Sequence, residues 1–329
     1  MVSVDGIGTE TGGSGRPAGE QVSWARALCP MLEVLCAVGE GEHLTQAARA
    51  LGVPQPTVSR TIARIERRLG LAVVERQGRR VRLTPAGQAL VDGARVACGE
   101  VERAGRAARD LLDPGSGLVR LASLATLPPM VVPQLVAAWR GEHPRVRVAL
   151  AQDVPQALLD RLDRGEVDIA ITSPLPVARG RLLVAPLVRQ PLRLLVPSGH
   201  RLSGRGRVGL REASEEPFVL PVPGLGLAAE VRELCERHDF VPVVGFEAVD
   251  LATVRGLVAA GLGVAIVPGS PPGAAPRDGT VEVKLDGDPS RSVGLVWRVS
   301  GDESPAHRRF REFALEVVPR LFAGPVGGG

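Results

Sequence analysis

The stretch "PQPTVSRTIARIERRLG", residues 54–70, carries Arg60, Arg64, Arg67 and Arg68 within seventeen residues. Val58, Ile62, Ile65 and Leu69 recur at steps of four, three and four, which predicts a helix with one apolar stripe. The remaining faces present Thr57, Ser59, Arg60, Ala63, Arg64 and Arg67. A guanidinium is a planar fork of donors that fits phosphate oxygens or a guanine edge, so the chemistry on offer is the grip of a polyanion. The basic character extends past this helix. Between His43 and Arg82, nine arginines stand against Glu66 and Glu75, an excess of seven positive charges in a chain whose formal net charge is +4. A solvated arginine-rich face is the plainer alternative, because Lys284 is the lone lysine and every other basic residue is arginine.

The neighbouring segments decide between the two. "MLEVLCAVGE" is apolar at helical spacing, "LTQAARALGV" is a second helix closed by Gly52, and the arginine helix is closed by Gly70. "LAVVERQGRRVRLT" then reads as two strands around a Gln77-Gly78 turn. Three helices and a hairpin outline a winged helix-turn-helix, in which phosphates supply the attraction and the start of the third helix reaches base edges. The candidate DNA-contacting residues are Thr45 and Gln46 on the second helix and Gln55, Pro56, Thr57 and Ser59 in the first turn of the third. Arg60, Arg64 and Arg67 along that helix and Arg76, Arg79 and Arg80 on the hairpin complete the set.

Composition removes several other chemistries. A P-loop needs a Gly-Lys pair that is not there, and Lys284, in a short Val-Lys-Leu strand, is a poor Schiff-base lysine. Cys29, Cys36, Cys98 and Cys235 form no CxxC and the five histidines are scattered, so no metal site and no cofactor are expected. The N-terminal residues "MVSVDGIGTETGGSGRPAGEQVS" are rich in Gly and Ser and lack an apolar core, which predicts a flexible tail. No apolar run is long enough to span a bilayer, and a cytoplasmic location is expected. At 329 residues and 44% hydrophobic content, two or three domains are expected.

From Thr84, an N-cap followed by Pro85, one long helix is predicted to run to the break at Pro114. Leu90, Ala94, Ala97, Val101, Ala104, Ala108 and Leu111 fall at alternating steps of four and three, a heptad seam suited to pairing two copies. The alternative is an ordinary amphipathic helix packed on its own domain. Beyond "DPGSG", short apolar runs alternate with helical ones, "LVRLAS", "LPPMVVPQLVAAWRGEH", "VRVALAQ", "VPQALLDRLDRGE" and "VDIAITSP", and a second such set follows. This pattern predicts two α/β lobes with largely parallel sheets and a ligand cleft between them.

The segment "LTQAARALGVPQPTVSRTIARIERRLGLAVVERQGRRVRLTPAGQAL" resembles the N-terminal domain of LysR-type transcriptional regulators. The match runs through Ala47-Ala48, Gln55-Pro56, Ser59-Arg60, Ile62, Ile65-Glu66, Leu69-Gly70, Glu75-Arg76 and the Leu83-Thr84-x-Ala86-Gly87 start of the linker. "RGEVDIAITSP", "PLRLLVPSGHRL" and "LVAAGLGVAIVP" are similar to landmarks of that family's effector domain. Departures are His43 and Pro54, where a capping Ser or Thr is common, and Val74 in place of a frequent Phe; a lost cap costs about 1 kcal/mol locally.

The resemblance implies an all-α winged helix-turn-helix domain over residues 27–84 after a tail at 1–26, and a linker and dimerisation helix at 85–113. It implies next a bilobed, periplasmic-binding-protein-like (type 2) α/β effector domain at 117–322, before a tail at 323–329. Lobe I would comprise about 117–186 and 292–322, and lobe II about 187–291. Carried over residue by residue, the effector-binding candidates are Ser123, Thr126, Asp153 and Ser173 from lobe I and Gly226, Asp250 and Thr253 from lobe II. Helix capping is the equal alternative for the hydroxyls, and Asp250 leaves the ligand class open. Some relatives sense peroxide with two cysteines, but Cys235 follows Cys98 with no cysteine near Gly226, so packing is expected of it.

The function implied is a non-enzymatic, DNA-binding transcriptional regulator modulated by a small-molecule effector. Its partners would be double-stranded DNA, the effector, further copies of itself as a homodimer extending to a homotetramer, and RNA polymerase. A solute-binding module or an enzyme using the interlobe cleft are the competing classes; the first does not account for the arginine-rich head, and for the second no His beside a nucleophile, acid pair or metal set stands out.

Overall fold

The computed structural model describes residues 28–41, 43–77, 80–113, 115–127, 131–178, 180–270, 279–299 and 303–323. The expected tails, but for Ala323, and Arg79 lie outside the described residues. The chain divides after Arg95 into two compact units.

The first unit holds α1 (Leu32–Val38), α2 (Leu44–Ala50), α3 (Gln55–Leu69), the antiparallel hairpin β1 (Val74–Gln77) and β2 (Arg80–Leu83), and the start of α4 (Pro85–Leu112). The apolar stripe of α3, Val58, Ile62 and Ile65, packs with Leu35, Ala47, Ala48 and Val73. Burying such side chains stabilises by about 1.5–3 kcal/mol each, which fixes the rotation of α3 and turns its arginines outward. Glu66 serves the fold: its Oε1 accepts from the Val73 and Val74 amides at 2.9 and 3.2 Å, tying the first hairpin strand to α3. Neither His43 nor Pro54 gives its helix a side-chain cap bond, in keeping with their departure from the family pattern.

The entry to α4 is tightly built. Thr84 Oγ1 donates to the Ala72 carbonyl at 2.7 Å and accepts from the Gly87 amide at 2.9 Å, so the residue caps α4 while anchoring it to the hairpin base. A Cβ at Gly87 would sit 1.9 Å from the Val73 carbonyl oxygen, which explains the glycine.

In the second unit, β3 (Gly117–Leu124), α5 (Val131–Glu142), β4 (Val146–Asp153), α6 (Pro155–Asp163) and β5 (Ile169–Thr172) begin lobe I. The sixteen-residue β6 (Leu182–Pro197) leads into lobe II, with β7 (Arg207–Val208), β8 (Pro217–Pro221), α7 (Gly226–Glu236), β9 (Val243–Ala248), α8 (Leu251–Ala259), β10 (Ala265–Pro268) and β11 (Thr280–Leu285). The return strand β12 (Ser290–Arg298) and α9 (Pro305–Ala323) complete lobe I. One sheet runs β4-β3-β5-β12-β6-β11-β7, with β10 also on β6; β8 and β9 pair separately.

The sheets are less parallel than the sequence pattern predicts. β3 pairs in parallel with β4 and β5, as β8 does with β9, but β12 runs antiparallel to both β5 and β6. The chain leaves lobe I along β6 and comes back along β12, so the crossing pair has to run in opposite directions. Lobe I packs around Trp139, which meets Phe310 and Phe313 edge-on at 5.0 and 5.3 Å, while lobe II centres on Phe218, Val231 and Leu234.

Two substitutions test the α4 entry. Thr84→Ala is expected to cost about 1 kcal/mol, and Gly87→Ala, which forces a backbone shift, about 1–3 kcal/mol in urea denaturation. Unchanged midpoints in both would contradict this packing.

Candidate nucleic-acid interface and effector cleft

On the first unit, Gln55, Pro56, Arg60, Arg64, Arg67 and Arg68 are exposed, Thr57 and Ser59 are half-buried, and Thr45 and Gln46 are exposed on α2. Arg60 Nε donates to the Pro56 carbonyl at 3.2 Å and Arg67 Nε to that of Ala63 at 3.3 Å, while Arg64 Nε lies 3.4 Å from Met31 Sδ. None of these arginines has a carboxylate within 4 Å among the described residues, whereas Arg95 and Arg103 on α4 pair with Asp92 and Glu100. The surface of α3 is therefore positive without internal compensation, the condition for exchanging counterions with a phosphate backbone. Arg76 and Arg80 lie on β1 and β2 of the hairpin.

The seam residues on α4 part company along the helix. Leu90 and Ala94 pack in the first unit's own core, which corrects their assignment to a partner face. The same three-four spacing serves burial within a domain and between chains, so periodicity could not separate the two. Ala97 is half-buried, and beyond it Val101, Ala104, Ala108 and Leu111 are exposed, Val101 at 69% and Leu111 at 67%.

The opposite face of this half of α4 is docked on lobe I through polar groups. Asp168 Oδ2 accepts from the Arg120 amide at 2.8 Å and lies 3.1 Å from His307 Nε2, and Arg106 sits 3.7 Å from Asp168 Oδ1. His307 Nε2 also reaches the Leu118 carbonyl at 3.1 Å, so that nitrogen carries the proton. Ser304 donates to Asp110, and Arg298 reaches Glu100 at 3.3 Å.

Around the interlobe cleft, the expected effector residues have different partners. Ser123 and Ser173 are buried. Ser173 Oγ donates to Glu230 Oε1 across the lobes at 3.0 Å, and a Cβ at Gly226 would lie 2.7 Å from the Ser173 carbonyl, so the missing side chain lets α7 close onto lobe I. Thr126 receives Arg291 on both its hydroxyl and carbonyl oxygens at 3.1 and 2.8 Å. Asp153 bonds the Val154 amide and Arg161, and Asp250 bonds the Thr253 amide and hydroxyl as the cap of α8. These two carboxylates are engaged by their own helices.

Three buried or half-buried residues escaped the sequence reading. Arg291, 3% exposed, also bonds Gln190 Oε1 at 3.0 Å, and Glu230 joins them as the cleft's carboxyl group. Burial pushes Arg291 down to about 10 against the pull of Glu230, and burial pushes Glu230 up against Arg291 and Ser173. An arginine at the start of the otherwise apolar "RSVGLVWR" was a usable signal for Arg291; Glu230 on "LAAEVRELC" reads as one more solvent-facing acid. Cys235 is fully buried, and burial raises its thiol to about 12, which makes it a packing residue.

A winged helix with an uncompensated basic recognition face, followed by a long helix and a two-lobed α/β domain, defines a ligand-responsive DNA-binding regulator. The chain matches the family models "Bacterial regulatory helix-turn-helix protein, lysR family" over residues 30–88 and "LysR substrate binding domain" over residues 113–319, and it belongs to the LysR family of transcriptional regulators. It is 30% identical to the uncharacterized HTH-type transcriptional regulator YybE of Bacillus subtilis over 86% of this chain and 97% of that one. It is 29% identical to the DNA-binding transcriptional dual regulator OxyR of Escherichia coli over 88% and 94%. The fold is shared with a full-length OxyR variant from Pseudomonas aeruginosa, at a TM-score of 0.64 and 24% identity over 89% and 94% of the two chains. No helix among the described residues is long and apolar enough to cross a membrane.

The docked half of α4 yields a pH dependence. Burial lowers the His307 pKa, but Asp168 and the Leu118 carbonyl outweigh it and the net shift is upward from 6.5. Protonated His307 thus contributes stability that is fully present below pH 6.5 and is lost as pH rises through the raised folded value. The melting temperature is expected to fall over that upward window in the native protein and to lose this component in His307→Gln; identical pH profiles would refute the assignment.

Proposed function

We propose that the first turn and basic face of α3 hold operator DNA: Gln55, Thr57 and Ser59 at base edges and phosphates, Arg60, Arg64 and Arg67 on the backbone or a guanine, and Arg76, Arg79 and Arg80 on the flanking phosphates. Thr45, Gln46 and Pro56 complete the footprint. The observation that carries this reading is the row of exposed arginines on α3 whose hydrogen bonds go to Pro56, Ala63 and Met31 and to no carboxylate among the described residues.

The active species is a homodimer paired through the exposed stripe Val101, Ala104, Ala108 and Leu111, where small residues admit a close partner helix. The exposed apolar edge strand β9, with Val243 61% and Phe246 42% exposed, supports further association into a tetramer. The protein works in the cytoplasm without turnover, and at the promoter RNA polymerase is its further partner. An effector between the lobes changes promoter contacts through lobe I and α4 while leaving the phosphate grip intact.

The test is fluorescence anisotropy on DNA from upstream of the protein's own gene, at two salt concentrations. Arg60→Ala and Arg64→Ala are each expected to weaken binding by about tenfold and, where a phosphate contact is lost, to reduce the salt slope by about 1. Native affinity and slope in both variants would overturn the assignment of α3.

A further inference from the structure

Two opposite charges share one groove and attract one another with no ion pair or hydrogen bond between them. A cavity of about 670 Å³ lies between Pro174 and Leu175 of lobe I, α7 of lobe II and the turn from β11 to β12, and both Glu230 and Arg291 line it. The guanidinium of Arg291 is almost wholly removed from water, yet its bonds go to neutral acceptors, Gln190 Oε1 and the two oxygens of Thr126. A guanidinium has five N–H donors and these contacts use three, so two remain for a further acceptor. Glu230 is the converse case: Oε1 takes the Ser173 hydroxyl, while Oε2 is shielded from solvent and has no hydrogen-bond partner.

Each group left this way costs free energy that a complementary ligand group would recover. A simple anion would answer Arg291 but repel Glu230, and a simple amine would do the reverse. The rim does not tip the balance, since Arg237 pairs with Glu233, Asp288 with Arg207 and Arg193, and the remaining Arg189 and Asp286 carry one charge of each sign.

We propose that this groove takes an α-amino acid, its carboxylate directed to Arg291 and its ammonium to Glu230, an assignment that rests on the reading of the two-lobed domain as the regulator's effector module. The geometry also links occupancy to shape. Glu230 holds Ser173 of lobe I from a lobe II helix, and Arg291 ties Thr126 to the crossing strand, so a ligand that draws on Glu230 acts on a bond between the lobes and one that draws on Arg291 acts on the crossing itself.

Isothermal titration of the full chain with each of the twenty L-amino acids tests this without DNA, so its outcome is independent of whether α3 binds an operator. At least one amino acid is expected to bind, with its methyl ester and its α-keto acid each weaker by about tenfold or more, since each leaves one buried charge unanswered. Glu230→Gln, which keeps the acceptor for Ser173, is expected to lose the preference for the amino acid over the keto acid while melting as a folded protein. Absence of binding by all twenty would overturn the proposal. So would a keto acid that binds as well as its amino acid, which would leave an effector module selective for simple anions, and so would an undiminished preference in Glu230→Gln.

Discussion

The effector domain depends on the pairing of β6 with β12. From Leu182↔Arg298 to Pro191↔Ser290 the two strands pair with one another, and past that point β6 continues against β10 and β11. Lobe motion is therefore a bend in two hydrogen-bonded strands, which resists large swings more than a loop hinge does. Gln190 and Arg291 are opposite one another at this crossing, and Arg291 reaches Thr126 in the turn after β3.

The second half of α4 carries two series at heptad spacing. Arg103, Arg106 and Asp110 face lobe I, with Arg106 and Asp110 held close to Asp168 and Ser304. Val101, Ala104, Ala108 and Leu111 occupy the other side and are open to solvent. The polar series fixes the rod to one lobe, and the apolar series is the face proposed above to meet a second copy. Because an α-helix is stiff over this length, rotation of lobe I cannot be absorbed between the two faces. Arg106 is the tightest point of this arrangement, with all three guanidinium nitrogens buried and without a hydrogen-bond partner among the described residues; Asp168 at 3.7 Å supplies its counter-charge.

Much of this was legible in the sequence because local rules and packing agree. The stripe of α3, the Thr84 cap, the break after α4 and the alternation of strands and helices each follow from residues within one element, and the structure holds all of them. The antiparallel crossing was not legible, since strand direction depends on which lobe the chain returns to. The parting of the seam after Ala94 was hidden for a related reason: an alanine at heptad spacing has the same signature in its own core and in a partner's. In the cleft, Asp153 and Asp250 look like ligand groups in a linear reading, but each lies beside a helix start whose free amides engage it first. Glu230 and Arg291 are 61 positions apart, and only the fold brings them to one groove.

The near absence of lysine gives these sites a common chemistry. In the second unit arginines are largely spent on acids, as in Arg161 with Asp153, Arg255 with Glu282 and Arg320 with Glu316. On α3 the same side chain meets its own helix backbone instead, Arg60 at Pro56 and Arg67 at Ala63. Each of those bonds uses the Nε–H and leaves the terminal fork free, so the side chain is held over the helix with its outward donors unspent. A lysine has no second point of attachment and would give up more rotamer freedom on meeting a phosphate. The difference between the paired arginines of the effector domain and the unpaired ones of α3 thus lies in their neighbours: the segment from His43 to Arg82 supplies two acids, and one of them, Glu66, is held by the Val73 and Val74 amides. Moving a carboxylate onto the outer face of α3 would quench the positive field without altering the core beneath it.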